Sequence, residues 1–533
     1  MFDTLIQGGQ IIDGSGKPAF LGDVAILDGK LTVFPGGTGA QAKTVIDAVG
    51  KCVCPGFIDV HSHGDLFFHA PLVHNTANIS QGITAEVAGQ CGLSDFPTRS
   101  CDPELYARHK QEQTRLNILD PEVTDSFAGY RKYIETVEKT SHIKQLVGHG
   151  CIRRAVMGSE NREPTAAELE IMKDLLREAM ENGAAGLSSG LVYPPGVFTK
   201  SAELTELCKV VAEYNGVYTS HMRDEGMGVL ESVRETLDTA MAAGCRLNIS
   251  HLKAMGTPAW GKSKKVLEMI EQAAAKGLDV VYDVYPFTAS MTSLQACLPP
   301  KEHTFTREER TVRLKDPVIR QGIKQGLLAG ESVKFSALRS LDDVLLIDCP
   351  VTTQYRGKTV AQVAREQNIH PVDAMLDILA ENSCATNCVY FTMHEDDLTA
   401  FYMGDRAMVC TDGLVHSLTE STHPRGFCAF PQVIDLFVRK KGCISLEKAI
   451  YKMTSFPARW HGFENKGQLK DGYDADVVIF DPDTVAPGFT YGEGVRLCPG
   501  IEKVFVDGVL TYENGALTGA YPGRFIPHLS SRA

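Results

Sequence analysis

The sequence predicts an α/β protein made of a TIM-type (β/α)8 barrel and a small β-sandwich. Two observations support this fold class. Between residues 165 and 251, helical and strand patterns alternate, as they do in the βαβ units of a parallel sheet. The two chain ends, 1–54 and 460–533, instead carry short β-like runs separated by Asp-Gly turn pairs. Neither end is long enough for a good core alone, so we expect both to pair into one sandwich, with 55–459 as the barrel.

The segment after Thr165 is the clearest helix of the predicted barrel. Thr165 and Glu168 form a capping box, in which each side chain accepts a hydrogen bond from the other residue's backbone N–H. Apolar Met172 and Leu176 follow at helical spacing, and Gly183 ends the pattern. The strands and helices after it repeat the same order, which is typical of a parallel sheet.

Nine segments have the short apolar pattern of strands. They are 57–61, 83–88, 144–148, 184–189, 217–221, 246–251, 279–285, 388–393 and 407–412. A barrel of this type has eight places, so one candidate lies outside it, and the sequence does not identify which.

The stretch 287–349 breaks the alternation. It contains Pro299-Pro300 and a charged run at 307–313, and we interpret it as an insertion in the barrel. An insertion that follows a barrel strand lies over the active-site face, where we expect it to act as a lid.

Composition excludes several classes of protein. The chain has 533 residues, 43% apolar and 22% charged, as in soluble globular proteins, and a net charge of −13, which argues against nucleic-acid or anionic-membrane partners. We therefore expect a small-molecule partner, while the oligomeric state stays open.

The start has no signal-peptide pattern and no apolar stretch reaches the ~18 residues of a membrane span, so we expect a cytoplasmic protein. The fifteen cysteines are scattered and odd in number, which indicates reduced thiols.

Histidines and an aspartate stand at the ends of predicted strands. His61 and His63 share one face because residues i and i+2 of a strand point the same way, although this motif alone is weak. His221 and His251 each close a strand and lie thirty positions apart, which is about the length of one βαβ unit. Asp412 closes the last strand. The carboxyl ends of barrel strands form the catalytic face, so these side chains should converge there.

Cys91 follows the second predicted strand and should reach the same face. By composition it is one of fifteen thiols, which are usually small buried hydrophobic groups, but its position favours a ligand. One thiolate with two imidazoles is a known catalytic zinc set that leaves a fourth position open. Hard ions that prefer oxygen ligands would not select it.

These residues, with the motifs around them, resemble the amidohydrolase superfamily and, more closely, the N-acyl-D-amino-acid deacylases. The resemblance covers nearly the whole chain, and its principal motifs are Gly56-Phe57-Ile58-Asp59-Val60-His61-Ser62-His63, Cys91-Gly92, Gly186-Leu187-Ser188-Ser189-Gly190, His221-Met222-Arg223-Asp224-Glu225, Thr411-Asp412-Gly413 and His423-Pro424-Arg425. Other branches have a carboxylated lysine or a glutamate where Cys91 stands, which narrows the resemblance to the deacylases.

The resemblance implies a zinc-dependent hydrolase that cleaves N-acyl-D-amino acids to a carboxylate and a free D-amino acid. It implies a tight Zn2+ site at Cys91, His221 and His251, and a weaker second site at His61, His63 and Asp412 that shares Cys91. Asp412 would be the general base toward a zinc-activated water and then the acid toward the leaving amine. The implied contacts to the substrate, an N-acyl amino acid, are Arg425, Lys253, Tyr193 and Tyr285.

The sequence departs from the usual family pattern at four positions, none of them a ligand: Gln90, Leu252, Met291 and Thr411. Two other functions are compatible with parts of the pattern. A cyclic amidase of the hydantoinase or dihydropyrimidinase kind shares the fold, but resembles a pattern with a bridging lysine instead of Cys91. A non-catalytic scaffold on the same barrel should have lost ligands, whereas all six are present. The D preference comes from the resemblance alone.

Overall fold

Eight parallel strand positions form the barrel in a computed structural model that describes residues 1–67, 71–98, 103–104, 106–107, 123–415 and 417–529. In order, the strands are Phe57–Asp59, Ile83–Ala88, His142–Gln145 continued by Val147–Gly148, Gly186–Gly190, Val217–His221, Arg246–Ile249, Val280–Val284 and Ala407–Val409. The backbone N–H of Asp412 donates to the carbonyl of His61 at 2.9 Å and so joins the last strand to the first. The predicted barrel is confirmed.

The ninth strand candidate, 388–393, lies outside the barrel. The strand Asn387–Tyr390 pairs antiparallel with Ser290–Ser293 and with Val344–Asp348 in a separate three-stranded sheet. This sheet packs with its own helices around a hydrophobic cluster that includes Leu294 and reaches Tyr390. The segment outside the barrel is therefore longer than the predicted 287–349. The sequence did not reveal its end, because its later helices carry the same capping and apolar patterns as barrel helices.

Helices cover the outside of the barrel and fill the insertion. Those around the barrel are Pro71–Ile79, Phe127–Thr136, His149–Met157, Ala166–Glu181, Ser201–Glu213, Val229–Ala243, Ser263–Ala275, Glu395–Met403, Arg425–Val433 with the π-helical Ile434–Lys440, Leu446–Met453 and Ser455–His461. Those of the insertion are Arg307–Lys315, Pro317–Leu328, Val333–Ser336, Val360–Gln367 and Pro371–Glu381. The predicted capping box is formed, with Thr165 and Glu168 each accepting from the other's backbone N–H.

The two chain ends combine in one nine-stranded sheet. Its strands are Phe2–Ile11, Phe20–Leu27, Lys30–Pro35, Ala42–Asp47, Cys52–Pro55, Val477–Phe480, Ile501–Val506, Val509–Glu513 and Ala516–Leu517. Cys52–Pro55 pairs antiparallel with Val477–Phe480, and buried residues from both ends share one small core. The predicted pairing of the ends into a separate β domain is thus present.

Two further observations concern the chain as a whole. Among the residues described, no helix combines the length and apolarity needed to cross a bilayer. The cytoplasmic location stays a prediction. The described cysteines are all free thiols, and most of them are buried.

Candidate metal centre and active site

The predicted site residues meet at the carboxyl end of the barrel strands. The six predicted metal ligands are all buried: His61, His63, Cys91, His221, His251 and Asp412. Cys91, His251 and Asp412 have left-handed backbone conformations, with φ of 55°, 34° and 46°. A non-glycine residue adopts this region at a conformational cost, which is characteristic of functional sites. Here the turn directs each side chain inward directly after its strand ends.

The thiol of Cys91 lies at the centre of the histidines. Its Sγ is 3.5 Å from His221 Nδ1, 3.4 Å from His251 Nε2 and 3.3 Å from His61 Nε2. In a tetrahedral zinc site with ordinary Zn–S and Zn–N bond lengths, sulfur and nitrogen stand about 3.5 Å apart. The distances from Cys91 Sγ to each of these three nitrogens are therefore of the size found between two ligands of one zinc ion.

Electrostatics favour a thiolate at this position. Burial alone would keep the Cys91 thiol neutral, but the charges of His61 and His251, together with hydrogen bonds from His221 and His251, hold its pKa well below the usual range. Thiolate is the form that binds metal.

Asp412 provides an oxygen ligand on the other side of Cys91. Its Oδ1 is 3.3 Å from His63 Nε2 and 3.7 Å from His61 Nε2. Single donor atoms of His61, Cys91, His251 and Asp412 all lie within 4.8 Å of one another. These four donors, which include residues of both predicted sites, could hold a metal ion.

Glycines allow the Cys91 loop to approach the neighbouring strand. A Cβ on Gly190, at the end of Gly186–Gly190, would stand 2.1 Å from the carbonyl oxygen of Cys91, and one on Gly92 would stand 2.7 Å from the backbone nitrogen of Gly190. Gln90 fixes the other side of this loop, since its amide donates to the carbonyl of Val60 and accepts from Thr219.

Two buried aspartates hold the ligands in place. Asp283 Oδ1 accepts from the backbone N–H of His251 at 2.7 Å and lies 3.4 Å from His61 Nδ1. Asp59 accepts from the hydroxyl of Thr411 at 2.5 Å and from its backbone N–H at 3.0 Å, directly before Asp412. Burial raises the pKa of Asp59 to about 7. Such supporting hydrogen bonds orient metal ligands.

The four predicted substrate contacts line the cavity above this centre. Arg425 pairs with Asp412 through Nη1 and Oδ2 at 2.6 Å, and its guanidinium lies 4.7 Å from the centre of the Tyr285 ring. Although burial opposes ionisation, Arg425 holds the pKa of Asp412 well below its usual range. Lys253 pairs with Glu225, and the ring of Tyr193 contacts that of His221. The cavity that contains all four has a volume of about 440 Å³.

Comparison with known proteins identifies the family. Models of the amidohydrolase family match residues 44–324 and 350–511. The chain belongs to the amidohydrolase family. This amidohydrolase is 31% identical to a D-aminoacylase and 32% identical to an N-acyl-D-glutamate deacylase, both from Alcaligenes xylosoxydans xylosoxydans, over 98% of its length and 97% and 96% of theirs.

Solved structures agree with this membership. The amidohydrolase resembles N-acyl-D-glutamate deacylase from Bordetella bronchiseptica, crystallised with zinc and a phosphonate that mimics the tetrahedral intermediate, with a TM-score of 0.81, 32% identity and 99% coverage of both chains. An L-hydantoinase from Arthrobacter aurescens has a TM-score of 0.53 at 17% identity, over 99% of this chain and 100% of that one, a likeness of fold alone.

Two charged residues of this amidohydrolase site were not predicted from the sequence. Glu225 contacts Lys253 Nζ at 2.5 Å and His251 Nδ1 at 3.0 Å. Lys253 Nζ also lies 2.7 Å from His251 Nδ1, so this ring nitrogen contacts both charged groups while Nε2 faces Cys91. The acidic residue four positions after His221 could have identified Glu225 from the sequence. Lys334 reaches the cavity from the insertion, and no local pattern indicated it.

Proposed function

We propose that this amidohydrolase is a zinc-dependent deacylase that hydrolyses N-acyl-D-amino acids to a carboxylate and a free D-amino acid. The observation that carries the proposal is the spacing of about 3.5 Å between Cys91 Sγ and the nitrogens of His221 and His251. It occurs in a chain whose relatives over nearly the whole length are named as deacylases of D-amino acids. The D preference is taken from those relatives.

Cys91, His221 and His251 would hold the tight zinc ion. His61, His63 and Asp412 would hold a second, weaker ion that shares Cys91. The donor chemistry fits zinc, because thiolate and imidazole together are disfavoured by hard cations such as Mg2+. When bound, zinc polarises the acyl carbonyl and makes water a nucleophile at neutral pH.

Asp412 would act as the general base and then as the general acid. Its carboxylate lies between the histidines and Arg425, so it can take a proton from water on one side of the amide carbon. It then returns that proton to the leaving nitrogen, which completes hydrolysis without another titrating group. Burial excludes competing water and strengthens these electrostatic interactions.

Arg425 would bind the carboxylate of the substrate. Its Nη1 is engaged with Asp412, while its Nε has no hydrogen-bond partner among the described residues. The hydroxyl of Tyr285, next to this guanidinium, is also unpartnered among them. A carboxylate bound beside them would satisfy the hydrogen-bonding capacity of both groups. Lys253 and Tyr193 would complete the contacts.

The insertion would act as a lid. Residues 290–293 and 332–334 line the same cavity as Cys91 and Asp412, so the insertion forms the side of the cavity opposite the barrel. Excluding water in this way favours the proposed chemistry.

The other two functions have less support. A cyclic amidase would share the fold, but its resemblance depends on a bridging lysine, and here Cys91 has that place. In a non-catalytic scaffold there would be no reason to keep six potential ligands, one of them a thiolate, clustered in the interior, where burying charged groups costs free energy.

The decisive experiment combines a substrate panel with metal analysis. Purified protein should hydrolyse N-acetyl-D-amino acids, leave hydantoins and N-acetyl-L-amino acids nearly untouched, and contain zinc. Cys91→Ala should lose tight zinc and activity together, whereas Cys443→Ala, at a half-buried thiol outside the site, should keep both. Predominant turnover of L substrates or of hydantoins would contradict the proposal.

A further inference from the structure

Lys334 brings a positive charge into the active-site cavity from the insertion. It lies in the short helix Val333–Ser336, and its Nζ is 3.2 Å from Ser290 Oγ and 3.3 Å from Met255 Sδ. It also lies 4.4 Å from the centre of the Tyr390 ring. Hydroxyl, thioether and aromatic ring are all neutral groups. The ammonium group of Lys334 is therefore in contact with neutral groups and has no ionic contact among the described residues.

The charge of Lys334 has no counter-ion in the described part of the chain. No described carboxylate lies within 4.0 Å of its Nζ, whereas Lys253 pairs with Glu225 and Arg425 pairs with Asp412 in the same cavity. Burial lowers the pKa of Lys334 to about 8. An ammonium group in such surroundings destabilises the free protein unless a ligand supplies the opposite charge.

In the proposed function, the amino-acid carboxylate of the substrate binds Arg425 beside Tyr285, and the Arg425 Nε and Tyr285 hydroxyl have no partner among the described residues. Lys334 has different contacts from that pair, since its Nζ lies against Met255 and the insertion strand Ser290–Ser293, whereas Arg425 contacts Asp412 and Tyr285. A second anionic group on the substrate would thus meet Lys334 while the first meets Arg425.

We propose that the substrate carries a second carboxylate and that Lys334 binds it. This inference rests on the deacylase function proposed above and narrows its substrate class to dianionic N-acyl amino acids. The second carboxylate belongs either to an acidic amino-acid side chain or to a dicarboxylic acyl group, and both present the same anion to the lysine. The apolar residues Leu93, Leu191 and Leu298 around the cavity accommodate the methylene groups between the two charges.

The test compares three substrates with the zinc-loaded wild-type protein. N-acetyl-D-glutamate places the second carboxylate in the side chain, N-succinyl-D-leucine places it in the acyl group, and N-acetyl-D-leucine lacks it. We expect kcat/KM for one of the two dianionic substrates to exceed that for N-acetyl-D-leucine by about 100-fold, the usual range for a charged hydrogen bond. The preferred dianion identifies the source of the carboxylate.

Variants then assign the preference to Lys334. Lys334→Met should lower kcat/KM for the preferred dianion about 100-fold and leave N-acetyl-D-leucine within about 3-fold. Lys334→Arg should restore most of the loss, because it keeps the charge. Lys315→Met, at an exposed lysine of the same insertion, should change neither substrate.

Several results would overturn this proposal. Equal losses on all three substrates in Lys334→Met would mean a structural role or contact with the shared carboxylate. A wild-type protein that prefers N-acetyl-D-leucine would refute it without any variant, while leaving the deacylase function intact. If the zinc-loaded protein hydrolyses none of the three and no other N-acetyl-D-amino acid, the deacylase function itself fails.

Discussion

A methyl group at Gly190 should disable the metal centre without touching a ligand. In Gly190→Ala the new Cβ would stand 2.1 Å from the carbonyl oxygen of Cys91, whereas real Cβ contacts stay beyond 3.0 Å. The Cys91 loop or the strand end opposite His221 must therefore shift by about 0.9 Å. Metal sites tolerate about 0.2 Å, and a displacement of about 1 Å in a catalytic group costs on the order of 100-fold in rate.

The assay measures zinc after dialysis, kcat/KM on an N-acetyl-D-amino acid, and thermal unfolding. We expect zinc content to fall and kcat/KM to drop about 100-fold, with a loss of about 1–3 kcal/mol in the free energy of unfolding from overpacking. Gly322→Ala is the control, since that glycine has no atom within 4 Å of its Cβ position and lies in the helix Pro317–Leu328. Wild-type zinc content and kcat/KM in Gly190→Ala would refute the reasoning.

Three other predictions follow from the site. Asp412→Asn should lower kcat by about 10²–10⁴-fold with zinc retained at the Cys91 site, and an unchanged kcat would exclude Asp412 as the base. Glu225→Gln should lower the free energy of unfolding by about 3–5 kcal/mol, because it leaves Lys253 without its carboxylate partner. Calorimetry should show that the double variant with Lys253→Met regains part of this stability. If it regains none, the pairing of Glu225 with Lys253 is contradicted. For the dianionic substrate, kcat/KM should fall as the pH rises above about 8, because Lys334 of the free protein loses its proton there. Lys334→Arg should remove this fall, since arginine keeps its charge. An unchanged fall in Lys334→Arg would contradict the role of Lys334 in binding the second carboxylate. The titratable and charged groups that face Lys334 are Cys297, Glu225, Lys253, Tyr390 and Arg425.

The sequence identified the barrel because its signals are local. The capping box at Thr165, the apolar spacing after it and the thirty-residue interval between His221 and His251 each depend on neighbouring residues. The same locality explains the surplus strand. Asn387–Tyr390 is a short, mostly buried strand like those of the barrel, but it pairs with Ser290–Ser293, and a pattern within one segment does not specify its partner.

The candidate site divides in the same way. Strand-end positions and the resemblance pointed to ten site residues; nine of them line one cavity, and the tenth, His61, lies buried beside Cys91. Glu225 ends the motif that begins at His221, yet its contact with His251 and Lys253 depends on how two neighbouring strand ends face each other. The pairing of Arg425 with Asp412 likewise joins a helix start to a strand end.

The sequence by itself therefore determined the order of elements, the convergence of Cys91 with the histidines, and the family. Only the tertiary structure decided which strand leaves the barrel and which charges lack partners. Lys334 illustrates the physical reason, since it is an ordinary lysine in the sequence. Its environment comes from Met255, Ser290 and Tyr390, which are distant in the chain, and the free energy of a partly buried charge depends on such neighbours.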